Sequence, residues 1–338
     1  MQQTPIVKIN PEHPEPELIR LAATVLRKGG LVAFPTETVY GLGALALEED
    51  KVQKIFSAKG RPTQNPLIVH VVDEAMAKSV CAIWPKTAQV IAEKLWPGPL
   101  TLILPKHKRV PMIVTAGLST VAVRCPAHPV ARALLHELNS PLAAPSANLY
   151  SEISPTRAAH VHKGLSGRID LILDGGPASY GVESTVLDLT GPKPTILRPG
   201  TILQSQLEKL IGHVAVICEQ VPDDVARASP GQSRKHYAPK ALVSLIPHGD
   251  QGCLNDRVQR VLKSKGRVGV LLLSPLQLTQ EGVMVRRLPP LASEYAAALY
   301  HVLHDLEDAG CSHILIEQVP EDEAWAAVRD RIERAVAQ

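Results

Sequence analysis

Aromatic residues are scarce in this chain: two Phe, three Trp and six Tyr make up 3% of its 338 residues. Proteins that bind single-stranded RNA on an open sheet stack the bases on aromatic side chains, so this composition argues against such a platform. Lys and Arg total 36 against 33 Asp and Glu, which gives a formal net charge of +3. That excess is too small to indicate nucleic-acid binding through whole-chain electrostatics.

Metal-type cysteine spacing and long apolar runs are also lacking. The pattern contains no C-x-x-C pair and no Cys/His ligand spacing, which argues against structural zinc and favours reduced thiols. The N-terminal stretch MQQTPIVKINPEHPEPEL has no apolar signal core, and no run has the length of a membrane span. We therefore expect a soluble cytoplasmic protein with no membrane contact. The five cysteines are Cys81, Cys125, Cys218, Cys253 and Cys311.

Length and patterning predict an α/β protein of two domains. A chain of 338 residues is long for one compact domain. Over residues 1–220, short apolar strands outnumber helices and alternate with them irregularly, which predicts a mixed, twisted open sheet. Residues 221–241 contain three prolines and no amphipathic period, and we interpret them as an ordered linker. Over residues 242–338, regular alternation predicts a smaller Rossmann-like parallel domain, without the G-x-G-x-x-G that a dinucleotide site needs.

The segment KGRPTQNPLIVH, residues 59–70, combines a basic loop with an apolar strand that ends in His70. Lys59 follows a predicted helix, so it and Arg61 arrive together, and a mobile point charge beside a rigid fork suits a polyphosphate. Basic residues after a helix also commonly complement its dipole, and this alternative stays open from the segment alone.

Two further loops follow apolar strands and carry small polar residues. In PTETVYGLG, residues 35–43, Thr36 and Thr38 offer hydroxyl groups, and the glycines allow close backbone approach. An ordinary turn is the alternative there. In AAPSAN, residues 143–148, Ser146 and Asn148 can bind a phosphate or a ribose, whereas Asn148 can equally be a turn residue that satisfies its own backbone.

Polar residues also begin or end three other strands. Thr120 and Arg124 share one face of a strand because their positions have equal parity. A buried Arg124 needs an anion, either a structural carboxylate or a ligand. Ser184 opens a strand and Arg198 ends another. Open α/β sheets bind ligands at strand ends, so together these residues indicate one site.

These segments, in this order, resemble the L-threonylcarbamoyladenylate synthase family, in the long form with a YrdC-like N-terminal domain. The resemblance rests on KGR, PTETVYGLG, SAN, the Ser184-Thr185 pair, Arg198 and SPGQSRKHYAP at residues 229–239. It covers essentially the whole chain. The resemblance implies an enzyme, a nucleotidyltransferase that converts L-threonine, bicarbonate and ATP into threonylcarbamoyl-AMP and pyrophosphate. The product would serve threonylcarbamoyladenosine modification of tRNA beside the anticodon.

The family's binding residues carry over to matching positions of this sequence. On the threonine side the resemblance implies Thr36 or Thr38, His70, Arg124, Ala144 and Ser184. On the ATP side, where Lys59 and Arg61 are also the expected catalytic residues, it implies Lys59, Arg61, Asn65, Thr120, Ser146, Asn148, Ser154, Arg198, and His236 or Tyr237.

The implied mechanism needs no protein nucleophile. Cations position the phosphates and stabilise their charge, and Mg²⁺ is expected to arrive with ATP. Because the carbamate intermediate decomposes in water, we expect residues 229–239 to close over the site as a lid. The expected partners are ATP, L-threonine, bicarbonate and downstream tRNA threonylcarbamoyl-transfer proteins, while direct tRNA contact stays open.

Three alternatives have different sequence signatures. A non-catalytic RNA-binding module of the same fold would use a basic concave face, and the low aromatic content and small net charge weigh against it. A carbamoyl-transfer maturation enzyme would carry zinc-finger cysteine pairs, which this chain lacks. The second domain could also act as an independent nucleotide sensor, and its ligand is left open.

Overall fold

Two β-sheets organise the computed structural model, which describes residues 3–217, 237–278 and 280–336. Within those residues one sheet has eleven strands and the other has four. The strands of the larger sheet are β1 (Ile6–Lys8), β2 (Val32–Phe34), β3 (Gly41–Leu45), β4 (Ile68–His70), β5 (Leu100–Pro105), β6 (Thr120–Arg124), β7 (Leu142–Ala143), β8 (Leu171–Asp174), β9 (Thr185–Asp188), β10 (Thr195–Arg198) and β11 (Ala215–Val216).

The larger sheet is mixed. Its strands follow the order β1-β8-β2-β3-β7-β4-β6-β5-β9-β10-β11. β4 and β6 are parallel, whereas β5 and β6 are antiparallel. This confirms the fold class predicted for the N-terminal domain. Its helices are α1 (Pro16–Arg27), α2 (Glu49–Lys59), α3 (Glu74–Val80), α4 (Lys86–Leu95), α5 (Pro129–Leu138), α6 (Ala158–Leu165) and α7 (Gln204–Ile211), with a 3₁₀ turn at Met112–Thr115.

Helices cover both faces of this sheet. On one face α1 and α5 bury apolar side chains, including Ile19 and Leu134, against Val32 and Phe34 of β2. On the other face α2 packs Val52, among others, into a second apolar cluster. The apolar face of each amphipathic helix is therefore the face that is buried.

β3 is a strand at the site that was not predicted from the sequence. All five of its residues are buried, but two are glycines, and glycine is unfavourable in strands. Gly43 is required because a Cβ there would lie 2.9 Å from Cε1 of Phe34, on the adjacent strand β2. The close approach at Gly43 is thus to a packed ring of the protein itself, where the sequence had suggested a ligand.

The smaller sheet forms the C-terminal domain. Its four strands are all parallel, in the order β12-β15-β13-β14. This confirms the predicted Rossmann-like parallel domain. None of the helices in the described ranges has both the length and the apolar character needed to cross a bilayer. The elements are β12 (Leu242–Ile246), α8 (Gln251–Lys263), β13 (Val268–Leu272), β14 (Val283–Arg287), α9 (Ala292–Asp308), β15 (His313–Glu317), a 3₁₀ turn at Glu323–Trp325 and α10 (Ala326–Val336).

The two domains share an apolar cluster. Val39, Ile153 and Val182 of the N-terminal domain belong to the same buried cluster as Leu299 of α9. The predicted linker falls mostly outside the described residues, since residues 221–236 are not among them. Its role as a lid and the domain boundaries at residues 220 and 241 therefore stay predictions.

Gly181 lies where the backbone of the N-terminal domain closely approaches that of α9. Its φ is +70°, and a Cβ there would lie 2.5 Å from the carbonyl oxygen of Ala296 and from the Cα of Ala297. Both are backbone atoms, which cannot move aside as a flexible side chain can. Gly181 thus allows the domains to pack at this distance.

A stack of histidines lies on the same interface. The ring centroid of His160 on α6 is 3.9 Å from that of His304 and 5.5 Å from that of His301, both on α9. Burial lowers the pKa of His160 to about 3 and that of His304 to about 4. Both rings are therefore neutral in the folded protein at physiological pH.

We expect Gly181→Ala to weaken domain packing more than Gly176→Ala. Both glycines have positive φ, so both substitutions share the left-handed strain, but a Cβ at Gly176 meets nothing within 4 Å. The overlap at Gly181 should lower the free energy of unfolding by about 1–3 kcal/mol beyond the Gly176 variant. Chemical denaturation of both variants measures this difference, and equal values would contradict the packing role.

We also expect the interface to make stability depend on pH. The pKa of His304 is lower in the folded protein than the unfolded value near 6.5, so the unfolded chain binds more protons between pH 6.5 and 4. Its stabilisation is complete above pH 6.5 and is lost as the pH falls toward 4. At pH 5 the loss is about 2 kcal/mol. Denaturation at pH 7.5 and 5 should show a smaller difference for His304→Gln than for the exposed control His13→Gln. Identical differences for the two variants would contradict the contribution of His304 to the pH dependence of stability.

Candidate functional site

A small cavity of about 50 Å³ lies where several strands of the larger sheet begin or end. Val39, Gly41, Ile68, Pro145 and Glu183 complete its wall. Ten of the residues predicted from the sequence line the cavity: Thr36, Thr38, Arg61, His70, Arg124, Ala144, Ser146, Ser184, Arg198 and Tyr237.

A polar row crosses the sheet at this cavity. His70 on β4 pairs in register with Arg124 on β6, and Arg124 pairs with Thr101 on β5. Residues that pair in register point to the same face of a sheet. The alternation of side chains therefore places these three polar groups side by side, as the strand-end positions of His70 and Arg124 suggested. Thr101 was not predicted from the sequence.

An apolar floor lies beside the polar row. The small buried cluster is Ile68, Ile103, Ala122, Val186 and Leu197. Ile68 and Ala122 occupy the same strands and face as His70 and Arg124, one alternation away. The site thus combines a low-dielectric surface with convergent polar groups, and interactions between charges are stronger there than in water.

Arg124 already has a buried carboxylate partner. Its Nη2 lies 2.7 Å from Oε1 of Glu37, and its Nη1 donates to Oγ1 of Thr38 at 2.9 Å. Burial raises the pKa of Glu37, but the Arg124 charge and the hydrogen bonds from Arg124 and the backbone together outweigh it, so the net pKa is lowered. Glu37 lies within PTETVYGLG but was not predicted as a site residue, because no local signal in the sequence distinguishes a buried glutamate from an exposed one.

Both candidate threonines belong to this hydrogen-bond network. The Thr36 hydroxyl donates to the carbonyl of Val39 at 2.6 Å, and its oxygen lies 2.9 Å from that of Thr38. Thr38 in turn accepts from Arg124. Thr36 therefore orders the loop, while Thr38 links that loop to the cation.

His70 is a neutral hydrogen-bonding group at the cavity wall. Burial, followed by the nearby Arg124 charge, lowers its pKa to about 3. Its Nδ1 lies 3.3 Å from the carbonyl oxygen of Ile68, which only accepts hydrogen bonds. Nδ1 then carries the proton, and Nε2 is an acceptor for a hydroxyl or ammonium group of a ligand.

Ser184 and Arg198 lie next to each other although fourteen residues separate them. Nε of Arg198 donates to the Ser184 carbonyl at 3.1 Å, and Nη2 donates to the Ser184 hydroxyl oxygen at the same distance. The Ser184 hydroxyl is also 2.8 Å from that of Thr101. This network fixes the start of β9 against the end of β10.

Lys59 lies behind the cavity, beneath the loop that follows β7. Its ammonium group donates to the carbonyl of Ser146 at 2.6 Å and to the carbonyl of Asn148. Burial and then the Arg61 charge lower its pKa well below the usual value. Two of its three N–H donors thus hold the predicted phosphate loop. Neither of the two roles considered from the sequence, binding a polyphosphate or complementing the helix dipole, includes this contact.

Five predicted ATP-side residues do not line the cavity. Lys59 and Asn148 support the loop as described, and Asn148 donates to two nearby carbonyls as a turn residue does. Ser154 donates to Glu183 at 2.5 Å. Asn65 donates to Tyr150, and Thr120 begins β6 at the end opposite Arg124. His236 lies outside the described residues.

A dedicated metal site is not formed by the residues that the structure describes. They contain no group of three His, Cys, Asp or Glu side chains that could hold an ion. Glu183, the one carboxylate on the described cavity wall, is occupied by Arg331 at 2.7 Å. Mg²⁺ that arrives on a nucleotide needs few protein ligands, because phosphates and water supply most of its shell.

Comparison with known proteins gives consistent results for both domains. The Sua5/YciO/YrdC family model, described as telomere recombination, matches residues 24–200. The model for the C-terminal domain of threonylcarbamoyl-AMP synthase matches residues 202–337. A Pyrococcus abyssi protein named threonylcarbamoyl-AMP synthase is 43% identical, over 94% of this chain and 93% of its own.

Two further comparisons agree with that match. A Bacillus subtilis protein of the same name is 41% identical, over 94% of this chain and 92% of its own. The structure of P. abyssi Sua5 complexed with L-threonine has a TM-score of 0.90 to this one at 40% identity, and the match covers 98% of each chain. Both matches extend over the two domains of this chain.

We expect Glu37→Gln to destabilise the protein strongly, because it leaves Arg124 buried without its counter-charge. Loss of one partner from a buried ion pair costs about 3–5 kcal/mol. The exposed pair between Lys78 and Glu74 is the control, and Glu74→Gln should change the free energy of unfolding by less than about 1 kcal/mol. Urea denaturation compares the two. If the Glu37 variant is as stable as the Glu74 variant, the charge of Glu37 is not needed to stabilise buried Arg124.

Proposed function

Because this chain belongs to the Sua5/YciO/YrdC family in its two-domain form, we propose that it is an L-threonylcarbamoyladenylate synthase. The proposed reaction joins L-threonine, bicarbonate and ATP and releases pyrophosphate, which makes the enzyme a nucleotidyltransferase. The observation that carries this proposal is the cavity, where all six residues of the implied threonine side share one wall with Arg61 and Arg198.

The polar row suits a small hydroxylated amino acid. Arg124 would receive the carboxylate of threonine with N–H groups beyond those given to Glu37 and Thr38, since a guanidinium carries five donors. His70, neutral and with Nε2 as an acceptor, would bind the amine or the side-chain hydroxyl. The apolar floor offers a surface for the threonine methyl group.

Cations on the other side suit the triphosphate. Arg61 lines the cavity, and its Nε and Nη2 are fixed by the carbonyls of Asn65 and Pro66 at 3.2 and 2.9 Å. Lys59 holds the loop of Ser146 and has a remaining donor for a phosphate oxygen. ATP is proposed to enter as its Mg²⁺ complex, so the metal comes with the substrate.

The chemistry then proceeds in two steps. The threonine amine adds to bicarbonate and loses water, which gives a carbamate. A carbamate oxygen attacks the α-phosphorus of ATP, and the bond to the β-phosphate oxygen breaks as pyrophosphate leaves. Negative charge builds on the phosphates, so Arg61, Lys59 and Arg198 act by positioning and electrostatic stabilisation.

The proposed product feeds the threonylcarbamoyladenosine modification of tRNA next to the anticodon, in the cytoplasm. Downstream transfer proteins would accept threonylcarbamoyl-AMP. The net charge of +3 gives little support to a direct contact with tRNA. The same weak charge disfavours the alternative of a non-catalytic RNA-binding module.

Pyrophosphate release tests the proposal. With ATP and bicarbonate, the purified protein should release pyrophosphate with L-threonine and much less with L-serine or with no amino acid. Lys59→Ala should slow turnover about a hundredfold, as expected for one lost electrostatic donor. Arg124→Gln should raise the KM for threonine roughly 10- to 100-fold with a smaller effect on ATP.

Two controls give this assay its discrimination. Arg20→Gln and Lys78→Ala remove exposed cations that do not line the cavity and should match the wild type. RNA binding without threonine-dependent pyrophosphate release would refute the enzyme in favour of the binding module. A selective ATP defect in the Arg124 variant would instead reverse the two sides of the cavity.

A further inference from the structure

Glu183 connects the cavity to the C-terminal domain. It immediately precedes Ser184 and is 7% exposed. Its Oε1 accepts from the Ser154 hydroxyl at 2.5 Å, and its Oε2 accepts from Nε of Arg331 at 2.7 Å and from the Tyr300 hydroxyl at 3.1 Å. Two of these three donors belong to α9 and α10, so the other domain fixes most of this carboxylate.

Arg331 reaches two separate segments of the cavity wall. Besides the Glu183 carboxylate, it donates from Nη2 to the Glu183 carbonyl at 3.4 Å and from Nη1 to the Pro199 carbonyl at 3.1 Å. Its side chain has no exposed surface. One guanidinium therefore clamps the residue before Ser184 to the residue after Arg198.

The charges around Arg331 keep it ionised and oriented. Asp330 accepts from its Nη1 at 2.5 Å and is also paired with Arg334. Burial raises the pKa of Glu183, yet the charges of Arg331 and Arg198 lower it overall. Buried ion pairs contribute little to net stability. The main effect of this arrangement is therefore to fix the positions of the groups that it joins.

We propose that Arg331 is a positioning residue of the site, which acts from the last helix of the C-terminal domain. By holding Glu183 and Pro199 it sets the relative positions of Ser184 and Arg198, which also bond to each other. The inference rests on the proposed function, in which Ser184 belongs to the threonine side and Arg198 to the ATP side. Arg331 itself touches neither substrate.

Kinetics of Arg331→Lys test this role. Lysine keeps the charge beside Glu183 but cannot reach both segments with a planar fork. We expect kcat/KM to fall on the order of a hundredfold, as for small misplacements of reacting groups. Most of the fall should be in kcat, because the residues that bind threonine and ATP remain present but Ser184 and Arg198 are displaced relative to each other. Arg260→Gln, on an exposed position of α8, should match the wild type.

Two further variants separate positioning from stability. Glu183→Gln/Arg331→Met removes both partners of this ion pair, while Asp330 keeps Arg334 and Arg198 keeps the Ser184 carbonyl. The variant should therefore fold, yet it still lacks the clamp between residues 183 and 199. It should stay as slow as Arg331→Lys. Val258→Ala lowers stability within the core of the C-terminal domain, away from the site, and should keep wild-type kcat/KM while folded.

The outcomes distinguish this inference from the proposed function. If the wild type releases no threonine-dependent pyrophosphate, the function fails. If the wild type is active and the folded double variant or Arg331→Lys has wild-type kcat/KM, the positioning role is overturned. If Val258→Ala is as slow as they are, general stability accounts for the effect and the positioning role is likewise overturned.

Discussion

Pairing of buried charge is the constraint on which this structure depends. Seven acidic, lysine or arginine side chains around the cavity are each less than a tenth exposed: Glu37, Lys59, Arg61, Arg124, Glu183, Arg198 and Arg331. An isolated ion in such surroundings is very unfavourable, so each must have a counter-charge or several hydrogen-bond acceptors. The pairs Arg124–Glu37 and Arg331–Glu183 and the carbonyls around Lys59 satisfy that need.

This constraint joins the two domains into one functional unit. Glu183 belongs to the N-terminal domain and Arg331 to the C-terminal domain, so separation of the domains would expose or orphan both charges. The shared apolar cluster and the contact at Gly181 hold the interface together around that pair. Domain packing and the geometry of Ser184 and Arg198 are consequently linked through a few specific contacts.

The parts of the fold and site that sequence could predict are those with local signals. Elements with a clear local pattern were predicted, for example the apolar strand that ends in His70. Polar residues at strand ends, such as His70 and Ser184, meet because the ends of neighbouring strands meet. β3 was missed because its glycines serve the Phe34 ring, a contact that no local pattern encodes.

The missed site residues have a common physical cause. Arg331 lies 148 positions from its partner Glu183, and on a predicted amphipathic helix an arginine is ordinarily expected at the surface. Lys59 was predicted near the nucleotide, but its backbone-carbonyl partners could not be foreseen. Pairings of this kind depend on tertiary structure, so the sequence gives a residue's position in an element but not its partner.

Glu317 bears on what the C-terminal domain does. It ends β15, is 1% exposed, and accepts hydrogen bonds from the backbone N–H groups of Gly249, Leu273 and Ser274, which follow β12 and β13. Backbone N–H groups at the carboxyl edge of a parallel sheet are the donors that Rossmann-like domains present to a ligand phosphate. Here a carboxylate of the chain itself holds them.

That internal carboxylate argues against the alternative in which the domain senses a nucleotide. A phosphate at this edge would have to displace Glu317 from three N–H donors and from His248, whose Nδ1 lies 2.9 Å away. It would also meet the negative charge of that carboxylate, whose pKa these hydrogen bonds lower against the effect of burial. The C-terminal domain is then connected to the proposed reaction through Arg331, which contacts Glu183 at the cavity of the N-terminal domain.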